Sequence, residues 1–193
     1  MNKTRLEAFS DGVLAIIITI MILEIKVPEG DTFNALLKLF PIFLSYVLSF
    51  IYIGIYWNNH HHMLQSVTNI NGKILWANLH LLFWLSLIPF TTGWMGENDF
   101  AKATMTLYGI VLFMAAIAYT ILQYQITANK ENKILAKALG KNLKGKISPI
   151  LYLTGILFSF YNGWVSGAIY ILVALIWLVP DKRIERTINA EKE

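Results

Sequence analysis

The chain contains no cysteine, so disulfides and thiolate metal sites are excluded from the outset. It is also poor in charge. Only 15% of its 193 residues are Asp, Glu, Lys or Arg, against about a quarter in an ordinary soluble domain. With 56% apolar residues, a soluble fold of this length has nowhere to hide its apolar surface, whereas a bilayer does. Enzyme signatures are missing as well. There is no HExxH pair, no nucleophile elbow and no pair of acids in the middle of an apolar run, so no catalytic activity is expected. Low-complexity tracts, internal repeats and a soluble domain are likewise absent. The basic start, Lys3 and Arg5 before an apolar run, superficially resembles a secretory leader. No small-residue cleavage site follows Ile25, and Glu24, Lys26 and Pro28 flank the run, so the expectation is a retained membrane helix.

What the chain does have is continuous apolar runs. A membrane helix needs about 20 mostly apolar residues. Six candidates emerge, at about 4–26, 36–57, 74–94, 103–126, 147–161 and 165–179, forming a single domain over 1–193. Thr4-Arg5-Leu6-Glu7 fits a capping box at the first start, and Pro28 with Gly30 ends that helix. Pro41 either kinks the second helix or marks its true start, and Pro89 lies near the end of the third. Asn162-Gly163 signals a tight turn, so the last two helices form an antiparallel hairpin.

Orientation follows from the basic residues of the short loops. With the N-terminus inside, Lys3, Arg5, Lys73, Lys130, Lys133, Lys137, Lys141, Lys144, Lys146, Lys182, Arg183, Arg186 and Lys192 all fall on the cytoplasmic side. Only Lys26, Lys102 and the boundary residue Lys38 fall outside. An even number of spans then places both termini in the cytoplasm of a multi-pass cell-membrane protein. Trp57, Trp94, Trp164 and Trp177 lie near span ends, as an interfacial aromatic belt requires. The basic stretch from Thr127 to Lys146, with Ile134, Leu135, Ala138 and Leu139 among its lysines, reads either as a positive-inside loop or as an interfacial helix on anionic lipid.

The first helix differs from the other five. Arg5, Glu7, Ser10 and Asp11 crowd its inner end, and Asp11 borders an apolar stretch, where an acid is costly. Arg5 and Asp11 lie about 240° apart around a helix, so their partners must come from another helix or another subunit. The inner end of the second helix offers Trp57, Asn58, Asn59, His60, His61 and His62. Consecutive histidines point about 100° apart, which suits a polar network better than a shared metal. Beyond Asp11 runs one stripe, Gly12, Ile16, Thr19 or Ile20, and Leu23, with Thr19 its polar member. As a packing face, it would have Thr19 bonded back to the carbonyl of Ala15.

The block Arg5-Leu6-Glu7-Ala8-Phe9-Ser10-Asp11-Gly12 resembles the Arg-x-x-x-Phe-Ser-Asp signature of the lysosomal potassium channel family, and more closely that of its bacterial members. Tyr56-Trp57 with His60-His61, and Leu75-Trp76-Ala77-Asn78 through Leu87-Ile88-Pro89-Phe90-Thr91, resemble the family's second and third helices. The second half of the chain matches by span count alone. The resemblance implies an all-α membrane protein with six transmembrane helices per chain, acting as a tetrameric cation channel that favours potassium. Such channels lack the carbonyl filter of ordinary potassium channels, and this chain has no Thr-Val-Gly-Tyr-Gly run. The resemblance further implies a pore lined by the first helix, narrowed at Ile16, Ile20 and Leu23, with Thr19 tied to potassium preference. Arg5, Phe9, Ser10, Asp11, Trp57, Asn59 and His60 would form the signature polar network. Because this chain holds one six-helix repeat, four copies are needed for a pore. The implied partners are other copies of itself, the lipid bilayer and monovalent cations, not nucleic acid. No cofactor is implied beyond permeant K+. The alternative from the residues is a small secondary transporter, against which stands the lack of a mid-span Gly/Pro break or midplane acid.

Overall fold

The computed structural model describes residues 2–129, 132 and 143–178. Among these, all regular structure is helical. The elements are α1 Lys3–Leu23, α2 Phe33–Leu37, α3 Phe40–Gln65, α4 Gly72–Ser86, α5 Ile88–Glu97, α6 Lys102–Ala128, α7 Leu143–Ser159 and α8 Gly163–Leu178. Four stretches are long and apolar enough to cross a membrane: α1, α3, α4 continued by α5, and α6. α8 is apolar but has 16 residues, and α7 has 17 with Pro149 inside it.

Local chemistry explains where these helices start and stop. α1 begins at Lys3, one residue before Thr4, because the Asn2 side chain accepts from Thr4 N at 3.2 Å and serves as the cap. Glu7 faces Lys3 at 3.9 Å, one turn away on the same face. Pro41 sits in the first turn of α3, where a missing N–H costs nothing. The residues ahead of it form the short α2, capped by Thr32. α3 then runs on to Gln65, well past Trp57, so all three consecutive histidines are helical. Pro89 divides the third span. It cannot donate to the carbonyl of Leu85 and its ring crowds that carbonyl, so the helix breaks at Leu87 and restarts as α5. The Thr91 hydroxyl donates to the carbonyl of Ile88, and Thr92 Oγ1 lies 2.7 Å from that carbonyl and 2.6 Å from Ser49 Oγ on α3. α5 lies close on α3 because Gly96 has no side chain: a Cβ there would come within 2.7 Å of the Ile42 Cα.

α1 packs on α3, α4 and α5, while α6 packs on α4 and α7, and α7 pairs with α8. Asn162 Oδ1 accepts from Trp164 N at 2.9 Å and opens α8 immediately after the turn. The centre is rich in tyrosine. Tyr52 donates to Tyr170 O at 2.6 Å, and Tyr170 donates to Met105 O at 3.2 Å, so both hydroxyls are satisfied in an apolar interior. The basic stretch at 130–142, apart from Asn132, and the C-terminal basic residues beyond Leu178 lie outside the described residues. The call on the Thr127–Lys146 stretch falls largely among them.

Candidate functional site

α1 has two distinct faces. Leu6, Ser10, Leu14, Ile17 and Met21 recur every three or four residues and are buried against the rest of the protomer. The opposite face carries Phe9, Gly12, Ile16, Thr19, Ile20 and Leu23, all exposed in the isolated protomer. Ile16 is 59% exposed and Leu23 75%. The stripe foreseen from periodicity is therefore not the face that packs into its own bundle.

Thr19 Oγ1 donates to Ala15 O at 2.9 Å. That bond uses the only hydroxyl proton, so the oxygen offers its lone pairs away from the helix backbone. A backbone-bonded threonine on an exposed face thus presents an acceptor, which suits a cation.

The N-terminal half of α1 is held by two separate polar contacts. Asp11 Oδ1 accepts from the Trp57 indole at 3.0 Å, and Trp57 stacks on His61 with ring centroids 6.0 Å apart. Deeper, Ser10, Asn78 and His60 form a chain in which every member is buried. Ser10 Oγ donates to Leu6 O at 2.8 Å, so it must accept from Asn78 Nδ2, 3.0 Å away. The Asn78 amide then turns its oxygen to His60 Nε2 at 2.7 Å. For that contact to be a hydrogen bond, His60 must carry its proton on Nε2. The direction of each bond follows from the one before it, and no member of the chain is left without a partner.

The expected network divides along these lines. Ser10, Asp11, Trp57 and His60 come together with α1. Asn59 does not join them, since its Nδ2 donates to Ile55 O on its own helix at 2.8 Å. Arg5 is exposed and has no partner among the described residues, and Phe9 is exposed on the outer stripe. His60 pairs with Asn78, and His61 Nε2 lies 2.8 Å from Gln65 Nε2. Among the described residues, no group of three His, Cys, Asp or Glu is placed to hold a metal ion. Asn78 is the member that residue patterning missed. Its signal was present, as a lone carboxamide inside an apolar helical run, which must be bonded once buried.

Comparison with known proteins places this geometry. Residues 5–89 match the family model described as endosomal/lysosomal potassium channel TMEM175. That stretch contains the whole Ser10–Asn78–His60 chain and the Asp11–Trp57 contact. The chain is 57% identical to a potassium channel of Chryseobacterium sp. (strain P1-3), over 98% of this chain and 99% of that one. It is 31% identical to a potassium channel of Chamaesiphon minutus, over 89% of this chain and 91% of that one. The crystal structure of a lysosomal potassium-selective channel TMEM175 homolog from Chamaesiphon minutus superposes with a TM-score of 0.80 at 29% identity, covering 93% of this chain and 97% of that one. These relatives are channels, not enzymes, and the chain belongs to the TMEM175 potassium channel family.

Proposed function

We propose that four copies of this chain assemble in the cell membrane as a potassium-favouring cation channel, with the four α1 helices around the central axis. Each chain contributes one six-helix domain, crossing the bilayer six times with both termini in the cytoplasm. The observation that carries this reading is the two-faced α1. Its inner face is fixed by packing and by buried polar bonds, while Ile16, Thr19, Ile20 and Leu23 face outward from the protomer. The potassium channels among its relatives support the same reading.

In this arrangement, rings of Ile16, Ile20 and Leu23 form a hydrophobic constriction that blocks conduction by dewetting when tight. A small outward tilt of α1 lets a partly dehydrated ion pass. Apolar rings supply no ligands, so the ion that loses water at lower cost passes best. Potassium is larger and holds its water less tightly than sodium, so the rings alone give weak selectivity. A ring of Thr19 oxygens between them replaces part of the lost hydration and sharpens the preference. Glu7 and Asp11 at one mouth, and Glu24 and Asp31 at the other, raise the local cation concentration. The Asp11–Trp57 and Ser10–Asn78–His60 contacts fix the position of α1 and do not touch the ion. Arg5, with no side-chain partner among the described residues, reaches toward a neighbouring subunit.

The test is ion flux from proteoliposomes containing the purified protein. A potassium gradient should drive efflux that a sodium gradient drives less well. No flux for either ion, from protein shown to be tetrameric, rejects the channel reading. Uptake against a gradient rejects it in favour of a transporter.

A further inference from the structure

The start of α4 and the end of α6 lie on the same side of the protomer as the start of α1. Lys3 Nζ donates to Gln65 O at the end of α3, 2.8 Å away. Asn129, just past α6, donates to Asn69 O at 3.4 Å, in the loop before α4. Between α4 and α6 runs an open groove lined chiefly by Lys73, Trp76, His80, Ile121 and Gln125. Gly72 begins a 26-residue stretch long and apolar enough to cross a membrane, so the groove sits where bilayer meets water. Trp76 is 75% exposed there, the place of an interfacial tryptophan.

The groove's chemistry is one-sided. No carboxylate lines it, and Lys73 is its single formal charge. Lys73 is exposed and has no ion pair among the described residues, so its ammonium is free to snorkel toward the water. His80 lies seven residues deeper, roughly 10 Å along the helix. Its Nε2 is 2.9 Å from the Trp84 indole nitrogen. An indole N–H only donates, so Nε2 accepts and the neutral ring carries its proton on Nδ1. Gln125, one turn from the end of α6, adds a side-chain amide that makes no hydrogen bond within the described residues. The groove thus has a cation at the water's edge, further donors beside and below it, and apolar walls in Trp76 and Ile121. A free phosphate is too small to reach from Lys73 to His80. A phospholipid covers that span, because its ester carbonyls lie deeper than its phosphate and its chains deeper still. We propose that this groove binds an anionic phospholipid, its phosphate at Lys73 and Gln125, an ester carbonyl accepting from His80 Nδ1, and its chains passing Ile121. Net negative charge complements the unpaired lysine. The site needs a membrane but not the channel reading; only its assignment to the cytoplasmic leaflet rests on the proposed topology.

The test is native mass spectrometry of the full chain in detergent, titrated with phosphatidylglycerol, phosphatidylcholine or glycerol 1-phosphate. Phosphatidylglycerol should bind the wild type more tightly than phosphatidylcholine. Lys73→Gln, at an exposed and unpaired position, should weaken phosphatidylglycerol binding about fivefold and erase that preference. Lys102→Gln, at the other end of α6, should leave both lipids unchanged. His80→Phe, which removes the Nδ1 donor, should weaken both lipids about three- to tenfold, as loss of one hydrogen bond does. Equal binding of the two lipids by wild type, or equal loss in Lys73→Gln and Lys102→Gln, reduces the attraction to diffuse charge and overturns the site. Unchanged binding by His80→Phe overturns the carbonyl contact. Displacement of phosphatidylglycerol by glycerol 1-phosphate shows a phosphate site that needs no chains and overturns the lipid. Lipid held by dissociated monomers but not by the assembled protein shows that a second copy covers the groove, and overturns the proposal as well.

Discussion

At the scale of single residues, Asn78 does the most with the fewest atoms. One carboxamide satisfies a serine on α1 and a histidine on α3 at once. Asn78→Leu keeps the volume and removes both bonds, leaving two buried groups unmatched. One such group costs about 1–3 kcal/mol, and the second adds less where the unfolded chain finds partners within the bilayer. The melting temperature in detergent should fall by roughly 5 °C. Asn59→Ala, which removes a bond internal to one helix, should shift it by less than half as much. Equal shifts would show that the Ser10–Asn78–His60 chain is not what holds α1. Thr19 is a different kind of residue, because its structural bond is local and its oxygen faces outward. Thr19→Ala should lower the potassium-to-sodium permeability ratio about threefold, a free energy at the low end of one hydrogen bond, while Thr19→Ser keeps the ratio. An unchanged ratio for the alanine variant, read from reversal potentials in bilayers, would reduce Thr19 to a helix-surface residue.

At the scale of elements, α1 is a helix whose two faces answer to different demands. Ile16→Asn places an amide in the proposed constriction and lets water in. If this lowers the barrier by about 1.4 kcal/mol, basal potassium flux rises about tenfold. The same substitution on the other face, Leu14→Asn, buries an amide without a partner and should lower stability with no gain in flux. A silent Ile16→Asn would move the constriction elsewhere. The two faces of α1 were legible in the sequence because a 3.6-residue period repeats over the whole run. Periodicity does not say which apolar stripe packs inward, however. That decision rests on Ser10 and its reach to Asn78, a contact 68 residues away that no local pattern encodes. The ends of elements were legible where proline or a capping side chain sets them, as at Pro41. They were missed where tertiary packing extends a helix, as from Trp57 to Gln65. Asn59 lies off the polar contacts that Trp57 and His60 make, because of helix geometry. Its neighbours Trp57 and His60 turn toward α1 and α4, but a step of about 100° per residue turns Asn59 toward α6 and α7.

At the scale of the whole molecule, the exposed stripe of α1 is explained either by lipid or by other copies of α1, and the missing cysteines make the two separable. Any thiol introduced is the only one in the protein. Leu23→Cys puts it at the most exposed position of the stripe, and Met21→Cys puts it on the buried face as a control. Around a fourfold axis, α1 helices in contact lie about 8–10 Å apart, which brings inward-facing Cα atoms of neighbours toward the separation a disulfide can span. Mild oxidation in membranes should therefore link Leu23→Cys chains and spare Met21→Cys. One cysteine per chain makes one bond, so the product should stop at the dimer. Adding Ile16→Cys supplies a second ring and should carry the ladder to the tetramer. Water access distinguishes a pore from a lipid-facing seam, because a thiol reacts as its thiolate, and a thiolate does not form in hydrocarbon. A charged, membrane-impermeant thiol reagent should modify Leu23→Cys and reduce its potassium flux. Dimers without such modification would place the stripe at a dry contact between subunits, and the ion path elsewhere.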